Sequence, residues 1–449
     1  MQLQENININ PLYLSLSLIV LSAIALQAKS YQHRKQQAEQ KMAPQTPKTI
    51  LIIGGSYAGI GLAQRLLKQN LAGTKLKVII VNPTESFYFN VASPRIIAKP
   101  DFFKQEAYIL SIPELFAKYG SDRFELVVGK ATSIETGGKK SVTVEEKGSS
   151  NPKEVEYDYL VLASGSTTPS MTGSGSNSVL VPFKASFDDG LLTQIKDAQA
   201  IFKDARSVVI GGGGPVAVEF AGELAEAFAT DKKQDTQITI VSASDGVGVL
   251  PSLKPAAQVS AAKILKSKSV KIIPGTKVVQ STQDASSKKW TVTLSNGETL
   301  TTDAYVAAIG VIPNNEYIPA SFLNEEGFVH VDDQFRVLTS SSSSSSSDKT
   351  PAEGIYALGD ITQHSYRVVS RIEKQTKAIV ANLKADILGG SNKRATGYDP
   401  EKESLILVVP VGQGQGTGQI GSWVLFSLLV ALVKGKDFLT GRVKSILQV

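Results

Sequence analysis

The chain has 449 residues, 42% hydrophobic and 20% charged, a globular composition long enough for two or three domains. Its formal charge of +6 does not signal nucleic acid, because it sits at the ends: residues 1–50 hold five Lys or Arg against two acids and residues 391–449 seven against four, leaving 35 of each between them. No cysteine is present, which excludes structural disulfides, thiolate metal sites and redox-active CxxC pairs, and His33, His330 and His364 are too scattered for a histidine metal site.

Pro11 to Ala28 is uncharged and largely apolar, just long enough as a helix to span a bilayer core. Lys29, His33, Arg34, Lys35 and Lys41 follow it, and before it stand Glu5 and no Lys or Arg. The positive-inside rule then predicts an uncleaved anchor with the body on the cytosolic side, on a membrane such as the mitochondrial outer membrane, the endoplasmic reticulum or a lipid-droplet surface. A cleaved signal peptide, the competing reading, would carry a positive start that is missing here. Residues 30–47 read as a polar tether.

Ile50 to Ile53 run straight into Gly54-Gly55-Ser56-Tyr57-Ala58-Gly59 and a helical pattern through Leu67. Strand, glycine turn and helix form the geometry a pyrophosphate needs, although Ser56 takes the middle glycine position of GxGxxG. A second strand, Lys77 to Val81, ends at Asn82, where an acid often binds ribose; Asn82 can bond those hydroxyls without a charge. Arg95, closing the run Phe87 to Arg95, either reaches a phosphate or flavin edge or begins a helix as a solvated arginine. Segments 124–130, 141–146 and 154–163 read as strands, the last opening into Ala163-Ser164-Gly165, a second place for close backbone approach. Residues 164–178 read as a linker.

The architecture then recurs. Ser207 to Ile210 is a strand, Gly212-Gly213-Gly214-Pro215-Val216-Ala217 a GxGxxA turn, and a helix runs on to Phe228. The following strand, Gln237 to Val241, ends at Ser242, with Ala243 and Ser244 after it and no acid at that position; use of both nicotinamide cofactors follows, with NADPH modestly favoured. Two complete units imply two nucleotide sites. Residues 270–274, 290–294 and 299–310 read as strands, with Asn296-Gly297 as a hairpin turn and Gly310 in a loop that can meet nucleotide. Ser340 to Ser347 reads as a disordered loop. Gly354 to Asp360 is a short strand delivering an aspartate ahead of a helix at 370–388. In the tail, Leu405 to Val409 reads as a strand, and Trp423 to Val433 is too short to span a membrane: it is either a packed helix or one lying in a membrane interface beside Lys434, Lys436, Arg442 and Lys444.

In this order the parts resemble a two-dinucleotide-domain flavoprotein of the pyridine-nucleotide oxidoreductase superfamily over residues 48–449. FYFNVASPR at 87–95, VEFAGELAE at 218–226, GQIGSW at 418–423 and the segment from Lys434 are similar to the apoptosis-inducing-factor-like branch, in particular the ferroptosis suppressor (mitochondria-associated type 2) proteins. The resemblance implies an α/β fold of two Rossmann-like domains. On this resemblance FAD is expected to bind at 48–170 and 303–372 and NAD(P)H at an inserted 171–302, with a small α+β domain at 373–449, behind an anchor and tether at 1–47. It places Asp360 on the FAD ribitol, Arg95 and Val127 at FAD, Glu219 near the nicotinamide–flavin junction, and a functional lysine at Lys434. It implies quinone reduction: hydride from NAD(P)H to flavin, then two electrons to the acceptor. Without cysteine no dithiol relay can intervene, and a membrane tether suits an acceptor that lives in lipid. Read from its residues alone, Glu219 is either a helix-face salt bridge or a group that orients nicotinamide or assists proton transfer, and Lys434 a solvated or a catalytic lysine. The chain departs from animal members of the branch in starting Met1-Gln2, with no glycine for a myristoyl anchor. A flavoprotein with oxygen or a protein carrier as acceptor, or a nucleotide-sensing interaction protein, is the alternative.

Overall fold

Strand β1 (Lys48–Ile53) is apolar on both faces and buried from Ile50 onward, as a strand covered on both sides must be. The computed structural model describes residues 47–69, 71, 74–173, 177–185, 188–340, 349–364, 367–389 and 396–449, with Gln27 and residues 29–32, which are helical, before them. The chain divides into two units. Met1–Pro47 with Asn70–Lys75 is one, and Lys48–Gln69 with Leu76–Val449 is the other, whose fold follows. The Pro11–Ala28 run, save Gln27, and the serines after Ser340 lie outside the described residues. Among the described residues no helix is long and apolar enough to cross a membrane.

After β1 come α1 (Tyr57–Leu67), β2 (Leu76–Asn82), α2 (Ser93–Ala98), β3 (Phe124–Glu135), β4 (Ser141–Glu146), β5 (Lys153–Glu156) and β6 (Tyr159–Leu162). The next stretch holds α3 (Leu191–Asp204), β7 (Ser207–Gly211), α4 (Pro215–Thr230), β8 (Gln237–Val241), α5 (Pro255–Ser267) and β9 (Val270–Ile273). A meander of β10 (Val278–Gln283), β11 (Trp290–Leu294) and β12 (Thr299–Thr302) leads to β13 (Ala304–Ala307). Then come β14 (Arg336–Ser340), β15 (Lys349–Ala357) and α6 (Val369–Ile387). The tail forms β16 (Ile406–Pro410), β17 (Gly416–Ile420), β18 (Trp423–Val424), α7 (Ser427–Val430) and a π turn at Ala431–Gly435.

These strands make two Rossmann-like sheets. One has eight strands in the order β14-β15-β6-β1-β2-β3-β4-β5, parallel from β15 to β3. The other has four, β9-β8-β7-β13, all parallel. The α/β fold with Rossmann-like sheets is therefore present, and β10 and β14 are strands that the sequence pattern did not mark. The tail strands β16, β17 and β18 form a separate antiparallel sheet.

Two segments read as single strands each divide in two. Residues 154–163 split into β5, at the outer edge of the eight-stranded sheet, and β6, in its middle. Residues 299–310 split into β12 and β13, in different sheets. An aspartate makes each break. The Asp158 carboxylate accepts the Thr49 N–H at 2.8 Å and Lys48 Nζ at 2.7 Å, fastening β6 to the start of β1. The Asp303 carboxylate accepts the N–H groups of Arg206 at 2.9 Å and Ser207 at 2.8 Å, fastening β13 to the start of β7. Trp423 to Val433 is also not one helix, because β18 takes its first two residues.

Candidate functional site

The two glycine turns are built alike. Gly54 has φ +118°, and a Cβ there would meet the Ala163 carbonyl oxygen at 2.3 Å; Gly212 has φ +114°, and its Cβ would meet the Ala308 oxygen at 2.2 Å. Each glycine donates its N–H across the sheet, Gly54 to Val81 O at 2.8 Å and Gly212 to Val241 O at 2.7 Å. Only glycine serves where the chain must turn left-handed against a neighbouring carbonyl. Behind the first turn, a Cβ on Gly59 would lie 1.8 Å from Gly54 O, while the equivalent Ala217 carries its methyl fully buried. Neither α1, entered through Ser56, nor α4, entered through Gly214 and Pro215, has a side-chain cap or an acid in its first turn. Both helix N-termini therefore keep the partial positive charge that holds a phosphate, so the residues fit dinucleotides. Two residues beyond Ala163 and Ala308 stand Gly165 and Gly310, both at positive φ with open space where a Cβ would be.

Asn82 and Ser242 occupy matching places beneath the second glycine of each turn. Asn82 Oδ1 accepts the Gly55 N–H at 2.8 Å and its Nδ2 donates to Thr84 O at 2.7 Å, so the amide braces the turn. Ser242 is buried, and its hydroxyl accepts the Ser244 N–H at 3.2 Å. The exposed acid of that loop is Asp245, one residue beyond the stretch read as free of acid. Val127 is buried within β3, opposite Val81.

Asp360 follows β15 into the same cleft as the first turn. The ends of β15, β6 and β1 are neighbours, so Asp360, Ala163 and Gly54 come together at the carboxyl ends of parallel strands, where ligands bind in such sheets. A Cβ on Gly359 would touch the Ala58 Cβ at 3.1 Å. Asp360 Oδ2 accepts Lys184 Nζ at 2.6 Å and Ser166 Oγ at 3.2 Å. Burial acts to raise its pKa, and the Lys184 ammonium outweighs it, holding the carboxyl below its ordinary range. Sequence reasoning missed Lys184, a single lysine in an irregular stretch. It is placed by Tyr88, whose hydroxyl donates to Pro182 O at 3.2 Å, and by Asn90, whose amide donates to Phe183 O at 3.0 Å. Ala163 leads into Ser164, which is locked to the return connection: Ser164 Oγ donates to Asn314 O at 2.8 Å and Asn314 Nδ2 to Ser164 O at 2.7 Å.

Helix α4 carries Glu219, Glu223 and Glu226 on one face, by their spacing of four and three. Glu219 Oε1 accepts Lys434 Nζ at 2.6 Å, and the same ammonium donates to Val408 O at 3.2 Å. Burial pushes the Glu219 carboxyl above its ordinary value even against the pull of Lys434. Glu223 is fully buried and grips Arg95 with both oxygens, at 2.8 Å to Nε and 2.7 Å to NH2. Arg95 is fully buried too; NH1 donates to Lys436 O at 3.0 Å, and the guanidinium lies 4.6 Å from the Phe438 ring centre and 4.8 Å from that of Phe102. That corrects both readings of Arg95: it is neither solvated nor aimed at a phosphate, because Glu223 holds its fork. Lys99 bridges Glu223 and Glu226 at 2.8 Å each, and Lys268 adds a second cation to Glu226 at 2.9 Å. Between these carboxylates Gly222 lets the tail approach, since a Cβ there would meet Gly412 N at 2.7 Å.

Comparison with known proteins places this arrangement. The family described as pyridine nucleotide-disulphide oxidoreductase matches residues 48–379. The oxidoreductase ptaL of Pestalotiopsis fici is 34% identical over 402 residues, covering 89% of this chain and 98% of that protein. Ferroptosis suppressor protein 1 of Taeniopygia guttata is 22% identical over 402 residues, covering 88% and 94%. The solved structure of sulfide:quinone oxidoreductase from the hyperthermophilic bacterium Aquifex aeolicus has a TM-score of 0.66 at 19% identity, over 89% of this chain and 92% of that one.

Proposed function

Because the chain belongs to the pyridine nucleotide-disulphide oxidoreductase family, and so is an FAD-dependent enzyme that takes electrons from NAD(P)H, we propose that its acceptor is a quinone carried in lipid. The observation that carries this is the complete absence of cysteine in a member of a family named for disulphides. No dithiol can stand between cofactor and acceptor, so the acceptor itself must reach the cofactor. Bound FAD supplies the chemistry, taking a hydride from NAD(P)H and handing two electrons onward. In sum NAD(P)H, one proton and quinone give NAD(P)+ and quinol.

In this reading the first turn, Gly54 to Gly59, holds the FAD pyrophosphate, with Ala163 and Gly165 against it and Asp360 at the ribitol. The second turn, Gly212 to Ala217, holds NAD(P)H, with Gly310 beside it. Glu219 and Lys434 hold a proton between carboxylate and ammonium, and orient the nicotinamide or pass that proton to the acceptor. Two features support a lipid-borne acceptor: the Pro11–Ala28 run, read as a membrane anchor that leaves the body in the cytosol, and the quinone in the name of the sulfide:quinone oxidoreductase of like fold.

Purified protein should be yellow, bleach with NADH or NADPH under argon, and regain colour on adding a soluble quinone. Turnover with oxygen or a protein carrier, and none with any quinone, would replace the acceptor proposed. Deleting residues 1–35 should leave turnover with the soluble quinone intact while lowering membrane partition.

A further inference from the structure

The tail leaves a set of large apolar side chains facing out. Trp423 is 78% exposed, Phe426 82%, Leu428 71% and Leu432 66%. They are not free to turn inward. Leu425 and Val430, on the opposite side of the same segment, are buried. The Gly416 N–H donates to Ser427 Oγ at 2.9 Å, and Lys434 at the end of the π turn is held by Glu219. The segment thus spends Leu425 and Val430 on the fold and presents those four large apolar side chains outward within residues 423–432.

Cations border this face. Lys254 is exposed, and its Nζ donates to Ser422 O at 3.0 Å, next to Trp423. Lys436 is exposed directly after the π turn. From residue 404 to the end, the sequence holds Lys434, Lys436, Arg442 and Lys444 against a single acid, Asp437. That acid is engaged in its own turn, where it accepts the Leu439 N–H at 2.9 Å.

We propose that this face docks on an anionic lipid bilayer, with Trp423, Phe426, Leu428 and Leu432 entering the interface and Lys254 and Lys436 meeting the headgroups. Aromatic and leucine side chains bordered by lysine are the composition that partitions to a membrane interface, and each cation near an anionic surface adds to the attraction. A second copy of this chain fits less well, because it would bring the same cations and, in this stretch, only Asp437 to meet them, already engaged in its own turn. The inference goes beyond the function proposed above and does not depend on the acceptor: it concerns a contact of the catalytic body itself, separate from the Pro11–Ala28 run.

The chain has two tryptophans, and the other, Trp290, is 4% exposed within the β10–β12 meander, so emission reports on Trp423. Full-length, flavin-loaded protein is mixed with phosphatidylcholine and phosphatidylserine vesicles carrying bromine on their acyl chains. Trp423 emission should move to the blue and be quenched, more so with more phosphatidylserine and less so in salt. Trp423→Phe should abolish the response. The double variant Phe426→Ser and Leu432→Ser should raise the lipid needed for half-quenching by about tenfold and leave turnover with a soluble quinone unchanged. Protein that floats with the vesicles while Trp423 stays unquenched would overturn the proposal, since lipid is then met elsewhere. Emission already blue and unresponsive to vesicles would overturn it too, because another part of the protein or a second copy then covers the face. Quenching without turnover on any quinone would leave this inference standing and remove the proposed acceptor.

Discussion

Glu219 and Lys434 lie 215 positions apart in the chain and 2.6 Å apart in space, and their pairing binds the last segment of the chain to the helix behind the second glycine turn. Glu219→Gln leaves a largely buried ammonium with only the Val408 carbonyl and the Phe438 ring near it, and Lys434→Met leaves a buried carboxylate. Each single change should cost about 3–5 kcal/mol of stability, because it strands a charge. The double variant should cost less than the two together, by about 1–3 kcal/mol. Denaturant titration of the four proteins measures this, and strict additivity would show that the pair is not coupled.

Arg95 is predicted to act on stability and not on cofactor affinity. Arg95→Met removes both bonds to Glu223 and should lower stability by about 3–5 kcal/mol. Arg95→Lys should recover part of that loss, since one ammonium replaces one arm of the fork. Flavin affinity of the folded variants, read by equilibrium dialysis, should stay within a few-fold of wild type. A large loss of flavin with an unchanged melting temperature would return Arg95 to the cofactor.

Lys184 makes a pH prediction. Asp360 has its carboxyl below the ordinary value, so it contributes stability above that value and loses the contribution as pH falls through the folded pKa. Lys184→Met leaves burial opposed only by the Ser166 hydroxyl and the Arg367 charge, and the carboxyl then rises. The variant should therefore melt lower than wild type at neutral pH, and the gap should shrink on acidification, as the carboxyl takes up a proton first in the variant and then, below its ordinary value, in wild type, where it no longer needs the ammonium. Melting curves between pH 3 and 7 test the sign; a gap that widens toward acid would contradict it.

Nicotinamide choice is predicted to turn on Asp245 and not on Ser242. Ser242 is buried under the turn, so it cannot present its hydroxyl freely to a ribose, whereas Asp245 is exposed in the loop after β8. In such units the residues after the second strand meet the adenosine ribose, and a carboxylate there repels a 2′-phosphate. Asp245→Asn should raise kcat/KM for NADPH relative to NADH by about three- to tenfold, measured at low ionic strength with one quinone. An unchanged ratio would place the discriminating charge elsewhere.

The Rossmann-like sheets were legible because geometry leaves glycine no substitute at Gly54 and Gly212: the carbonyls of Ala163 and Ala308 exclude any side chain. The breaks at Asp158 and Asp303 were harder to see, since an apolar run does not announce that it changes sheets. Even so, an aspartate inside such a run is a usable sign, because its carboxylate needs donors and finds them at the start of the next parallel strand. The charges around α4 were half visible. Their spacing marks one face, yet the partners Arg95 and Lys99 lie 128 and 127 positions away from Glu223 and Glu226, and no local pattern links them. Lys184 gave no signal, for its meaning comes from Asp360, 176 positions further on. The outward Trp423 and Phe426 were also hidden, because hydrophobicity alone does not tell which side of a short segment the fold will use.

Both chain passages between the two parallel sheets run side by side, Thr167 pairing with Ile312 and Ser166 with Pro313. Two passages laced into one ribbon form a single hinge. Any swing about it would have to draw Glu223 away from Arg95, a fully buried ion pair, and so expose two charges to a surface not made for them. The buried pair thus works against any parting of the two sheets. The expected route for nicotinamide is therefore motion of loop 243–247, whose Asp245 is exposed, and not a parting of the halves. Small-angle scattering from the enzyme with and without NADH should superimpose, while hydrogen exchange in that loop slows.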